Sequence, residues 1–293
     1  QGIVGREYAR EAREKEEVSL AIGTQYLPKN LSEDYKNLPK QMSKLGAMFG
    51  IIDRYDLLIG ALGTGLEPTG SQDPYALRRA GGIVVKLIRA FDISFSLSEV
   101  HKNNLFLYDG RFLLKEVGLK YVKFLRERVA FELGVKSGMR SYEILQAVMD
   151  SSFEDIADVF RRFDVLTGMD QKILIKAAKV IQRTANMLKG YGKAPGEPKE
   201  ELLAEVQEKK LFELLKTKAK EVEEPLEKGN YERATRLFAD LFSVPLHDFF
   251  DHVLVNAEDA ALRENRMALV AKINRLYTAK VADLSVLSRI DEE

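Results

Sequence analysis

QKILIKAAKVIQRTANMLKGYGK, residues 171–193, decides the fold class. Ile173, Ala177, Val180, Ile181, Ala185 and Leu188 recur at three- and four-residue spacing, the period of an α-helix with one buried side. Lys172, Lys176, Lys179 and Arg183 follow i, i+4, i+7, i+11, which places them within about 60° of one another on the opposite side. The stretch has six basic residues and no acidic one, whereas surface faces usually mix signs. An unbroken cationic stripe beside an apolar one predicts a helix that packs on a core and turns toward a polyanion such as RNA. Asn186 extends the polar side with both donors and acceptors.

The same period runs through most of the chain, and no stretch alternates long enough to predict a sheet, so the expected fold is all-α. Eight prolines are expected at helix edges. Breaks are expected at Gly63–Gly70, near Gly134–Ser141 and at Gly190–Glu197, where glycine and proline cannot continue a helix. Gly229-Asn230-Tyr231-Glu232-Arg233-Ala234 looks like the middle of a tetratricopeptide repeat, but it occurs once and such repeats need stacked copies.

The 293 residues are 45% apolar and 31% charged, with 45 basic and 45 acidic side chains. That is enough for one large domain or two ordinary ones. A formal charge of zero argues against coating nucleic acid over the whole surface, and leaves room for local basic patches. The absence of cysteine removes disulfides, thiol nucleophiles and thiolate metal sites, and fits a cytoplasmic protein. No apolar run reaches the roughly 18 to 20 residues needed to cross a bilayer, so no membrane partner is expected. Many Lys and Glu with no Cys or Trp hint at a thermophilic source. The chain opens on Gln1 in mid-pattern and is expected to be part of a longer protein.

In EPTGSQDPYALRR, residues 67–79, Asp73 and Pro74 suit the start of a helix, one as cap and the other at the first position. Arg78 and Arg79 then lie near the positive end of the helix dipole and call for an anion, either a carboxylate or an RNA phosphate. From Lys44 to Leu62, Leu45, Met48, Phe49, Ile52 and Ile59 are expected on the buried side. Asp56 falls among them, Asp53 lies at their border and Arg54 points away. A carboxylate on an apolar face needs a partner, so Asp53 or Asp56 is expected to pair with Arg78 or Arg79.

VPLHDFFDHVLVNAED, residues 244–259, sets His247 against Asp251 and Asp248 against His252 at i, i+4. A metal-dependent phosphohydrolase of the HD type needs further ligands in a fixed order, and the remaining histidine is His101, so no metal site is expected. In DAALRENRMALVAKINRLYTAKVADLSVL, residues 259–287, Leu262, Met267, Leu269, Val270, Ile273, Leu276 and Tyr277 form an apolar stripe. Arg263, Arg266, Lys272, Arg275 and Lys280 surround it.

Taken together, these segments resemble the beta subunit of the tetrameric bacterial glycyl-tRNA synthetase. The similarity is strongest in DRYDLLIGALGTGLEPTGSQDPYALRRAGGIV (53–84), KAAKVIQRTANMLKG (176–190), SVPLHDFFDHVLVNAEDAALRENRMALV (243–270) and the closing VADLSVL. The resemblance implies an HD-like helical domain with a helical linker over residues 1–154. A DALR-type anticodon-binding domain, similar to that of arginyl-tRNA synthetase, would follow over 155–293. It implies a tRNA-binding piece without the aminoacylation site, with no cofactor of its own. ATP and Mg2+ would be used by the alpha subunit, the partner in an alpha2 beta2 assembly, and the ligand would be the tRNA for glycine. Expected tRNA contacts are Lys172, Lys176, Lys179, Arg183 and Asn186 on one helix and Arg263, Arg266 and Arg275 on another, with Arg78 and Arg79 nearer the acceptor side. Asp53 matches the last aspartate of an HD metal site. An HD phosphohydrolase and a helical protein-interaction scaffold are the competing readings.

Overall fold

The computed structural model describes residues 1–68, 73, 75–108, 114–192 and 195–288. Pro74, expected at the first helical position, lies outside them. The chain is all-α. Among the described residues the helices are α1 (Gly2–Glu11), α2 (Glu16–Thr24), α3 (Leu38–Gln41), α4 (Lys44–Gly63), α5 (Leu77–Phe91), α6 (Leu97–Phe106), α7 (Leu114–Glu132), α8 (Arg140–Ser151), α9 (Ile156–Gly168), α10 (Gln171–Leu188), α11 (Val206–Glu227), α12 (Tyr231–His252) and α13 (Ala260–Thr278). They form two compact units, Gln1–Lys136 with Glu154–Phe160 and Ser137–Phe153 with Arg161–Glu293. The division differs from a single cut after residue 154. Helix α8 belongs with the second unit, and Glu154–Phe160 return to the first.

The first unit packs α4, α5 and α7 together. Helix α4 is rotated relative to the sequence expectation. Met48, Phe49 and Ile52 are 43%, 48% and 59% exposed, while Arg54 is buried. Two causes act together. Gly46 and Gly50 let the backbones approach: a Cβ on Gly46 would lie 2.7 Å from Thr24 Oγ1, and one on Gly50 2.6 Å from the Gln25 carbonyl. Arg54 then donates to the carbonyls of Gln25 (3.2 Å), Tyr26 (3.0 Å) and Gly50 (2.9 Å), satisfying the end of α2. Asp53 and Asp56 are left exposed, and Asp56 accepts a hydrogen bond from the Tyr108 hydroxyl (2.7 Å). The expected ion pair of Asp53 or Asp56 with Arg78 or Arg79 is therefore corrected: on this side of α4 neither carboxylate needs a buried cation.

Asp73 serves free amides at the start of α5, accepting from those of Leu77 (2.7 Å) and Arg78 (3.0 Å), but it stands three residues before the capping position, Ala76, instead of occupying it as expected. The helix begins only at Leu77, after Ala76 in the left-handed region (φ 53°). Deeper along α5, Lys86 is 5% exposed. Its ammonium lies 3.2 Å from the Glu132 carboxylate and donates to the Glu33 carbonyl (2.8 Å). Burial pushes the Glu132 carboxyl above its ordinary range, against the opposing pull of Lys86.

In the second unit, α12 packs on α10 and α11, and α13 packs on the same two helices. Helix α13 is buried on every side from Asn265 to Ala271, the signature of an encased helix rather than an amphipathic one. Tyr277 shares a buried hydrogen bond with Thr235 (2.9 Å). Arg162, 1% exposed, donates to the carbonyls of Val148 (2.8 Å), Ser152 (2.8 Å) and Val281 (2.9 Å). Gly229 (φ 68°) turns the chain between α11 and α12, and the Asn230 side chain caps α12 at the Arg233 amide (3.2 Å). Pro225 and Pro245 stand inside α11 and α12, correcting the expectation that prolines mark helix edges.

Candidate nucleic-acid interface

Helix α10 forms as its sequence period predicts. Asp170 caps it at the Lys172 amide (2.8 Å), and Leu174, Ala177, Ala178, Val180, Ile181 and Thr184 are buried. The cationic stripe is not uniformly open. Lys172 and Asn186 are exposed, while Lys176, Lys179 and Arg183 are half-buried. Lys176 reaches Asp240 of α12 (2.7 Å) and Arg183 reaches Asp251 (3.4 Å). Arg183 also touches His247 and lies over the Phe250 ring, 5.4 Å from its centroid. Part of the stripe thus borders α12 and is countered by the chain's own acids. This corrects the picture of four unanswered cations.

A cleft of about 380 Å³ runs along this border, lined by Lys179, Gln182, Arg183, Ser243, Val244 and His247. A second, of about 500 Å³, opens on the other flank of α12 beside Gln207, Lys210, Val244, His247, Asp248 and Asp251. Val244, shared by both, is 69% exposed. His247 and Asp251 approach to 3.4 Å and His252 and Asp248 to 3.0 Å, each a pair along one helix face. Among the described residues no three His, Cys, Asp or Glu side chains gather as a metal site, and no helix is long and apolar enough to cross a membrane.

The arginines of α13 separate into three roles. Arg275 is exposed. Arg263 donates to the carbonyls of Ala257 (2.7 Å) and Glu258 (3.3 Å), closing the turn before its own helix. Arg266 is 6% exposed; it pairs with Glu208 of α11 and donates to the Leu254 carbonyl (2.7 Å). The expectation of Arg266 as an RNA contact is corrected, because its guanidinium is spent inside the core. Glu208 also accepts from the amides of Ala204 (2.7 Å) and Glu205 (3.1 Å) at the start of α11. In the first unit Arg79 is exposed, and Arg78 is half-buried with one donor on the Pro68 carbonyl (3.3 Å).

The profile described as "Glycyl-tRNA synthetase beta subunit" matches residues 1–150, and that described as "DALR anticodon binding domain" matches residues 178–280. The chain belongs to the glycyl-tRNA synthetase beta subunit family. Among the similar curated proteins is the glycine–tRNA ligase beta subunit of Haemophilus influenzae, 32% identical over 290 residues, covering 98% of this chain and 41% of that protein. Those of Glaesserella parasuis serovar 5 and Acinetobacter baylyi are 33% and 35% identical, with the same shares covered. The chain thus spans about 41% of the length of the beta subunits it matches. The anticodon-binding match takes in Lys179, Arg183, Asn186, Arg263, Arg266 and Arg275, whereas Lys172 and Lys176 precede it. The beta-subunit match takes in Asp53, Asp56, Arg78 and Arg79.

Proposed function

We propose that this chain is a tRNA-engaging part of a glycyl-tRNA synthetase beta subunit. It supports attachment of glycine to its tRNA, while glycine activation with ATP and Mg2+ belongs to the alpha subunit of an alpha2 beta2 enzyme. The fragment then needs no cofactor and performs no bond-making step; it works in the cytoplasm by holding RNA. The observation that bears most weight is the match of residues 178–280 to an anticodon-binding domain.

Within that region the favoured surface is the outer side of α10, with Lys172, Lys176, Lys179, Arg183 and Asn186, together with exposed Arg275. The aspartates opposite Lys176 and Arg183 do not disable it. Exposed ion pairs contribute about 0–1 kcal/mol, so a phosphate can displace a carboxylate whose side chain is itself 46% to 53% exposed. Unstacked anticodon bases are read by stacking and by hydrogen bonds to their edges. The two clefts beside Val244 and His247 supply an apolar wall, donors and acceptors for that purpose. Arg263 belongs to this surface only through the turn it holds in place.

The test is a titration of the tRNA for glycine, with and without its anticodon loop, against the chain and its Lys172→Glu/Lys176→Glu/Lys179→Glu/Arg183→Glu variant. Affinity is expected to fall by roughly tenfold or more, with a shallower salt dependence, while the helical circular dichroism is retained. Equal affinities for the two proteins at low salt would remove α10 from the interface.

A further inference from the structure

Helix α12 packs on α10, and the border between them is flanked at both ends by ion pairs. Lys176 reaches Asp240 (2.7 Å) and Arg183 reaches Asp251 (3.4 Å). The cleft of about 380 Å³ is lined by Lys179, Gln182 and Arg183 of α10 and by Ser243, Val244 and His247 of α12. On each helix the first pair precedes these lining residues. The second stands at their end on α10 and one turn beyond it on α12.

The stripe has no acid of its own, because residues 171–193 contain none. Its counter-ions come from 64 and 68 positions away, both on α12. Asp248, the other acid in residues 240–252, is turned to His252 on its own helix (3.0 Å). The four side chains of the two pairs are 37% to 53% exposed. Each carboxylate can therefore swing into water without stranding a buried charge. Carboxylate and phosphate compete for the same donors, since an ammonium or a guanidinium fork binds either. Arg183 keeps its aim when Asp251 leaves. Its guanidinium lies 5.4 Å from the centroid of the Phe250 ring and touches His247, and both contacts come from other side chains.

We propose that Asp240 and Asp251 form an acid clasp: they occupy α10 cations in the absence of RNA and are displaced by its phosphates. The clasp is a brake on polyanion binding. A phosphate that arrives at Lys176 or Arg183 must first open an ion pair, so the stripe gives its full charge only to a ligand that opens both. The inference rests on the reading of α10 as the RNA-facing surface, and adds that α12 regulates that surface.

The experiment titrates the full chain with a transcript of the tRNA for glycine at several salt concentrations, and follows melting by circular dichroism. The variants are Asp240→Asn, Asp251→Asn, the two together, and Lys176→Met with and without Asp240→Asn. Glu223→Gln/Glu227→Gln, at two exposed acids of α11, makes the same change of net charge as the double variant and serves as control. Freeing one exposed pair is expected to raise affinity about threefold, and freeing both about tenfold. The salt dependence should steepen, because no released carboxylate takes up a counter-ion in place of the phosphate. A generic change of charge, screened by salt, should alter affinity less than about twofold in the control. Asp240→Asn should gain nothing once Lys176 is replaced. A double variant that binds no tighter than the control overturns the proposal, and so does a gain from Asp240→Asn that survives Lys176→Met. Weaker binding by Asp251→Asn at unchanged melting overturns it too, since the acid would then be orienting Arg183. The α10 charge-reversal variant separates the two levels. If it loses affinity while the double Asn variant stays at wild type, the clasp fails and the α10 surface stands. If it keeps full affinity, the surface fails and takes the clasp with it.

Discussion

Replacing Arg266 by methionine should damage stability and leave RNA recognition intact. The Glu208 side chain is 1% exposed and that of Arg266 7%. Removing the guanidinium strands an ionised carboxylate in the interior and leaves the Leu254 carbonyl without this donor. Breaking a buried pair in this way costs about 3–5 kcal/mol. For a unit of this size each kcal/mol shifts the melting midpoint by about 2–4 °C, so a drop of roughly 6–20 °C is expected. Differential scanning calorimetry of the full chain reads it directly, with the loss confined to the transition of the second unit. The double variant Glu208→Leu/Arg266→Met should recover at least about 2 kcal/mol of the loss, since neither charge then lies buried alone. It should remain about 1–2 kcal/mol below wild type, because the amides of Ala204 and Glu205 lose their acceptor. A stability for Arg266→Met within about 0.5 kcal/mol of wild type, or a loss of tRNA affinity at unchanged stability, would refute the assignment.

Lys86→Met should destabilise the first unit by about 3 kcal/mol at neutral pH, because Glu132 keeps its burial and loses its cation. The sign of the pH dependence follows from the raised Glu132 carboxyl. A carboxyl that holds its proton more tightly when folded favours the folded state most at low pH, and that advantage fades as pH climbs past the raised value. The deficit of Lys86→Met against wild type should therefore be widest near about pH 8 and narrow toward about pH 5; equal deficits in urea titrations at both would contradict it. Gly229→Ala should cost about 1 kcal/mol from the left-handed backbone alone, since an added Cβ would meet no atom within 4 Å. A neutral result in urea unfolding would mean that the turn relaxes.

The helical class was readable from residues 171–193, because an isolated period of 3.6 with one apolar side leaves little else for the backbone to do. That Asp73 would serve free amides near the start of α5 was readable for a similar reason, since that chemistry is completed within five residues, but the start itself falls later, at Leu77. The rotation of α4 was not, because counting apolar residues favours the side with Met48, Phe49 and Ile52. The deciding forces are backbone proximity at Gly46 and Gly50 and the three carbonyls that Arg54 serves. The fate of Arg266 was hidden too. Its counter-ion lies 58 positions away, and a helix enclosed on all sides gives no period by which to sort its arginines. The half-neutralised stripe on α10 belongs to the same class: its cations are visible in the sequence, but the reach of Asp240 and Asp251 depends on how α12 is laid against it.

Glu208 serves two masters: the opening amides of α11 and a guanidinium much later in the chain. During synthesis, α11 leaves the ribosome well before α13, so its first turn begins with a carboxylate free to stay in water. The carboxylate that caps α11 finds its cation only when Arg266 of α13 arrives. The amides of Ala204 and Glu205 have their acceptor from the first turn onward, and what the late helix adds is the counter-charge that lets this acceptor leave water.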